Sequence, residues 1–168
     1  MSTLNVKQYC QLFMETAQTS VAKSALYMAL LTLMLCTGAL AIIDIFYDFQ
    51  DGPEWMEEAP ALAHFIILVI LAPTLETGLL VTFVLILQKA RIGALVIAGL
   101  FALVMAYLHF EYPVRGIVVT IPFFIWTYFY AIAHKKLPDR AWKIIFFAHA
   151  FHNAMILAII IAISAFTQ

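Results

Sequence analysis

Leu62–Leu87 reads LAHFIILVILAPTLETGLLVTFVLIL, an apolar stretch that carries one acid, Glu76, and no lysine or arginine. About 18 or more apolar residues with almost no charge are the signature of a helix that crosses a bilayer. Outward from this stretch, four more segments approach or meet that length: Ser24–Ile43, Ile92–His109, Gly116–Ala133 and Ile144–Phe166. The whole chain agrees: of 168 residues, 65% are hydrophobic and 11% charged, with a mean hydropathy of +0.99. Soluble domains carry about 25% charged residues, so water is not the main solvent here. The expected fold is an all-α polytopic membrane helix bundle with about five transmembrane helices and an N-terminal interfacial helix. It forms a single membrane domain over residues 1–168, because the even spread of apolar runs leaves no boundary for a second. The net charge of −1 offers no electrostatic footprint for nucleic acid. Cys10 and Cys36 are too few and too unpatterned for a disulfide framework or a zinc knuckle and read as free thiols.

Residues 1–20 differ from the rest: Leu4, Tyr9, Leu12, Phe13 and Met14 are scattered among polar residues, which fits an amphipathic helix at the interface or a loose tail. The region before the first apolar run is long and weakly basic, so an uncleaved first span is expected despite Ala39-Leu40-Ala41. With five spans and a cytoplasmic N-terminus, all nine Lys and Arg except Arg115 fall on the inside, as the positive-inside rule requires. The largest outer connection, Asp48–Pro60, is acidic and is broken by Asp51-Gly52-Pro53. Trp55, Trp126, Tyr128, Tyr130 and Trp142 lie near span ends, where aromatic belts belong. The expected location is an inner (plasma) membrane of a prokaryote, which a short chain without a processing signal suits.

Polar residues inside spans narrow the function. A charge at the depth of Glu76 costs on the order of 3 kcal/mol even on lenient insertion scales, and such residues are commonly functional. The bland alternative is a protonated carboxylic acid hydrogen-bonded to a neighbouring helix. Pro73, three residues earlier, removes a backbone donor and should kink the helix beside the acid. His109 ends the third span, and His149, His152 and Asn153 lie in the fifth. His149 and Asn153 are one turn apart on one helix face, whereas His152 points away from them. Ala94, Ala98, Ala102 and Ala106 form a small-residue stripe whose centre line meets His109, so that histidine should face protein. Ala150, Ala154, Ala158 and Ala162 form a second stripe beside His149 and Asn153, and packing alone accounts for most of these alanines.

A Glu, two His and an Asn on three spans suit three chemistries. A Glu–His pair can activate water while His and Asn donate to an oxyanion. Glu and His can bind a metal, although no H-E-x-x-H motif supports a zincin site. His109, His149 or His64 can ligate haem. Spacing alone does not separate these.

The order and surroundings of the four residues resemble the CAAX-protease and bacteriocin-processing family of glutamate-dependent intramembrane proteases. The three motifs of that family are E-E-x-x-x-R after Ala-Pro, F-x-x-x-H, and H-x-x-x-N. They have counterparts here in Ala72-Pro73-Thr74-Leu75-Glu76-Thr77, Met105-Ala106-Tyr107-Leu108-His109 and His149-Ala150-Phe151-His152-Asn153. The resemblance covers about residues 62–166, a protease-like core. It implies that Glu76 and His109 activate the attacking water and that His149 and Asn153 stabilise the oxyanion. No cofactor or metal is implied. The substrate would be a membrane-associated or lipid-anchored protein or peptide. Thr77 stands in place of the second acid, Val81 in place of the arginine and Met105 in place of the phenylalanine. The alternative is therefore a catalytically inactive relative that acts as a membrane binding or immunity protein. Counting 1.5 Å per residue from the helix connections puts Glu76 about 20 Å, His109 nearly 30 Å and His149 about 10 Å above one membrane face. The four therefore meet only if a kink, a tilt or a deeply starting last helix absorbs the difference.

Overall fold

Each apolar run folds into a helix because a backbone in lipid must satisfy its own N–H and C=O groups. The computed structural model describes residues 6–45 and 60–167. It contains α1 (Val6–Thr19), α2 (Val21–Asp44), α4 (Ala94–Leu108), α5 (Pro113–Ala133) and α6 (Ala141–Thr167). Between α2 and α4 runs α3, one continuous rod made of Ala61–Phe65, a π-helical stretch Ile66–Leu71, and Ala72–Lys89. No strand is present among the described residues. The acidic Asp48–Pro60 connection, except Pro60 itself, and with it Trp55, lies outside the described residues, as does the side chain of Cys10.

Among the described residues, four helices are long and apolar enough to cross a membrane, Val21–Asp44, Leu62–Lys89, Pro113–Ala133 and Ala141–Phe166. The third expected span is shorter than predicted: α4 has 15 residues, about 22 Å at 1.5 Å per residue. Gly93, in extended conformation, caps its start, and His109 closes its end. The fold is a polytopic all-α bundle with, among the described residues, four helices long enough to span and one shorter apolar helix.

Local chemistry sets the helix ends. Ser20 caps α2 by accepting the Lys23 N–H at 3.3 Å. After α3, Arg91 takes φ 60° while Arg91 N–H bonds Gln88 O and Ile92 N–H bonds Leu87 O. That is a Schellman ending in which an arginine holds the left-handed position usually given to glycine. Hydroxyls on outward faces fold back onto their own helices, as Thr74 does to Ile70 O and Thr82 to Gly78 O. Lipid offers them no other acceptor.

Residues 6–19 form a helix rather than a loose tail. Phe13, Met14 and Ala17 pack on the bundle, with Phe13 edge-on to Phe129 at 5.3 Å, while Gln11 and Glu15 pair on the exposed face. Arg140 donates to Gln18 O, tying α1 to the α5–α6 connection. Within that connection Leu137 turns into the core that also holds Ala17 and Ala141, the first residue of α6, while Lys135, Lys136, Pro138, Asp139 and Arg140 are exposed.

The alanine stripe of α4 lies against α5. Ala98 and Ala102 are buried, and a Cβ on Gly116 would come within 3.0 Å of Ala106 O. The stripe on α6 is only half used, because Ala150 is buried while Ala158 and Ala162 are exposed.

Candidate active site

A cavity of about 690 Å³ opens between α2, α3, α5 and α6. Its walls come from Leu33–Leu40 of α2, Leu68–Glu76 of α3, Val114–Trp126 of α5 and His149–Ile160 of α6, with His109 and Tyr112 between α4 and α5. These stretches all lie in the half of the bundle away from α1. The walls are mostly apolar, with Glu76, His109, Arg115, His149, His152 and Asn153 among the polar residues that line them.

The structure brings the predicted residues to this cavity. Glu76 Oε2 is 3.3 Å from His149 Nε2, and Glu76 Oε1 is 3.7 Å from His109 Nε2. Asn153 lines the same cavity, one turn beyond His149. Glu76, His109 and His149 thus meet despite the different heights expected of straight helices, and α3 departs from a straight α-helix through its π-helical stretch Ile66–Leu71.

Hydrogen bonds fix the histidine tautomers. His109 Nδ1 is 2.8 Å from the Met105 carbonyl. A carbonyl only accepts, so Nδ1 carries the proton and donates. Neutral His109 therefore turns a bare Nε2 lone pair towards Glu76. His149 is the opposite: its Nδ1 has no hydrogen-bond partner, and its Nε2–H is the group that can donate to Glu76 Oε2. His149 is 3% exposed and its ring lies 4.5 Å from Trp126, tilted 35°, and edge-on to Phe123 at 5.4 Å. Two aromatic rings thus hold it in place.

Asn153 is partly committed. Its Nδ2 donates to Leu68 O at 2.8 Å, leaving a second N–H on the same nitrogen. His152 also lines the cavity, but its Nδ1 is engaged 3.0 Å from Thr32 Oγ1 on α2 and its ring lies edge-on to Trp126 at 5.7 Å. His64 is buried on α3 and does not line the cavity.

Two aromatics expected at the membrane interface lie elsewhere. Trp126 and Tyr130 are not belt residues: both are buried in the core, and Trp126, 1% exposed, forms the platform beneath His149. Tyr128 and Trp142 do face outward. The Thr32–His152 pair joins residues too distant in sequence for any local pattern to signal.

No family model matches this chain, and no curated protein or solved structure matches it either. Geometry and chemistry are what bear on its function. The departures from the family's motifs point away from the cavity. Thr77 is buried, Val81 packs on the core, and neither lines the cavity. The substitution at Met105 concerns a side chain in the core, whereas the contact with His109 is made by the main-chain carbonyl. Among the described residues, no group of three His, Cys, Asp or Glu is arranged to hold a metal ion.

Proposed function

We propose that the protein is a glutamate-dependent intramembrane endopeptidase that cleaves a membrane-associated or lipid-anchored protein or peptide. One observation carries this reading. Glu76 Oε1 and neutral His109 Nε2, both acceptors, face each other at 3.7 Å in an apolar cavity. The distance exceeds a direct hydrogen bond and suits a bridging water. A water there gives one hydrogen to each acceptor and presents its oxygen lone pairs outward, the arrangement a nucleophilic water needs.

In the first step the water oxygen attacks the scissile carbonyl carbon while its proton passes to Glu76. Protonation removes the negative charge that holds the His149 Nε2–H. That donor, with the second N–H of Asn153, is then free for the oxyanion forming at the same moment. Collapse of the tetrahedral intermediate breaks the C–N bond, and the leaving amine takes the proton from Glu76. Apolar walls raise the worth of each interaction by excluding water.

The positive-inside pattern supports an orientation in which α1 and the Lys/Arg-bearing connections lie in the cytoplasm of a prokaryotic inner membrane. The cavity then opens to the opposite side, where Arg115 sits.

The test is cleavage of candidate membrane peptides by wild type and by Glu76→Ala, His109→Ala and His149→Ala. Each substitution is expected to abolish product formation. Normal cleavage by all three folded variants would refute the proposal.

A further inference from the structure

Two helix-interior prolines, Pro73 and Pro122, each leave a carbonyl without its backbone donor, since proline has no N–H. In both places a side chain from another helix fills the gap. Cys36 of α2 points its Sγ at Val118 O, four residues before Pro122, at 3.8 Å. Asn153 of α6 donates to Leu68 O, five residues before Pro73, at 2.8 Å. An amide is a far stronger donor than a thiol, and the second case lies in the π stretch just before Glu76.

The register of that stretch decides which carbonyl is orphaned. In the π register Ala72 N–H bonds Ile67 O, so Leu68 O awaits an N–H that Pro73 lacks. In an α register Ala72 N–H would take Leu68 O, and Val69 O would be the orphan instead. Either way one carbonyl is unpaired, and lipid supplies no water to it. Asn153 reaches Leu68 O, which favours the π register.

Register also sets rotation. Leu68 and Glu76 both line the cavity. At about 100° per residue, eight residues of α-helix would place them about 80° apart. A π turn absorbs one extra residue and brings them to within about 20°. His64 and Pro73, both buried, would otherwise lie on opposite faces of the rod.

We propose that Asn153 is a positioning residue: its amide locks the π register of α3 and thereby sets the rotation that turns Glu76 into the cavity. The functional consequence rests on the role of Glu76 given above, whereas the lock itself does not.

The test is a double-mutant cycle on the full chain in detergent, comparing wild type, Asn153→Ala, Pro73→Ala and the double variant. Two quantities are read: the unfolding midpoint, and the rate at which dicyclohexylcarbodiimide labels Glu76, followed by mass spectrometry. Asn153→Ala is expected to lower Tm by roughly 2–12 °C, the effect of orphaning one buried carbonyl. It should also raise Glu76 labelling several-fold, as the carboxyl turns towards lipid. In the Pro73→Ala background the backbone regains its N–H, so removal of Asn153 should cost at most half as much Tm, and labelling should return towards wild type. Equal costs in the two backgrounds would overturn the lock. So would a fall in Tm with Glu76 labelling unchanged. If Asn153→Ala does not fold alone, its folding in the Pro73→Ala background is the expected result, and failure there overturns the proposal. Neither readout uses a substrate, so the lock can fail in a protein that cleaves, or hold in one that does not.

Discussion

At the α1 end of the bundle, Met28, Leu80, Val84, Ile97, Ile144 and Ile145 fill the space between helices and are closed to solvent. At the other end the same helices separate. Among the described residues, α2 has no buried side chain beyond Cys36 and α6 none beyond Leu157. The difference shows how one set of helices serves two purposes. Packing at the closed end fixes where each helix stands, and the open end uses that placement to enclose a cavity. Glu76 and His149 sit at the boundary, Glu76 one turn from Leu80 and His149 one turn from Ile145. Their carboxylate and imidazole are therefore held by a rigid half while facing an open one, which is what a preorganised site requires.

The sharpest challenge to this division is at the boundary itself. Glu76→Gln keeps the shape of the side chain and is expected to lower the cleavage rate by about 10²–10⁴-fold, the usual worth of a general base. The unfolding midpoint should stay near wild type, as scanning calorimetry in detergent would check. The next challenge compares the two ends directly. Ile144→Ala should cost about 2–5 kcal/mol by leaving a void in the core, while Ile160→Ala, at an exposed site on the same helix, should stay within about 0.5 kcal/mol. Equal costs, measured by denaturant titration in mixed micelles, would erase the distinction between the ends. A third variant acts where α4 meets α5. Gly116→Ala places a Cβ 3.0 Å from Ala106 O and 3.2 Å from Phe110 Cδ2. It should cost about 1–3 kcal/mol by overpacking and reduce cleavage as well, because His109 ends the helix that is pushed away. The smallest effect belongs to Cys36→Ala. A thiol is a weak donor, so its loss from Val118 O should cost less than about 1 kcal/mol, against the larger loss expected for Asn153.

Much of this arrangement was legible in the sequence. Apolar runs marked the helices, and the cost of an acid in lipid singled out Glu76 without any structural information. The i, i+4 spacing put His149 and Asn153 on one face, and the stripe of alanines turned His109 inward. What was hidden depends on relations between helices. Pro73 announces a kink but not a change of register, since the π and α alternatives leave the same number of unpaired carbonyls until Asn153 chooses between them. Trp126 has the composition of a belt residue and the position of a core one, and only the packing of α5 against α6 decides. The meeting of His149 with Glu76 could not be counted from Lys143, because counting along straight helices leaves out the π-helical stretch of α3 and the way the helices cross.

The indole of Trp126, tilted against the His149 ring at 4.5 Å, gives the protein an optical reporter inside its own site. Imidazolium quenches indole emission far more strongly than neutral imidazole does, so the brightness of this one tryptophan follows the charge of the histidine beside it. With Trp55 and Trp142 replaced by phenylalanine, the remaining fluorescence would register a change of charge or occupancy beside this indole in real time.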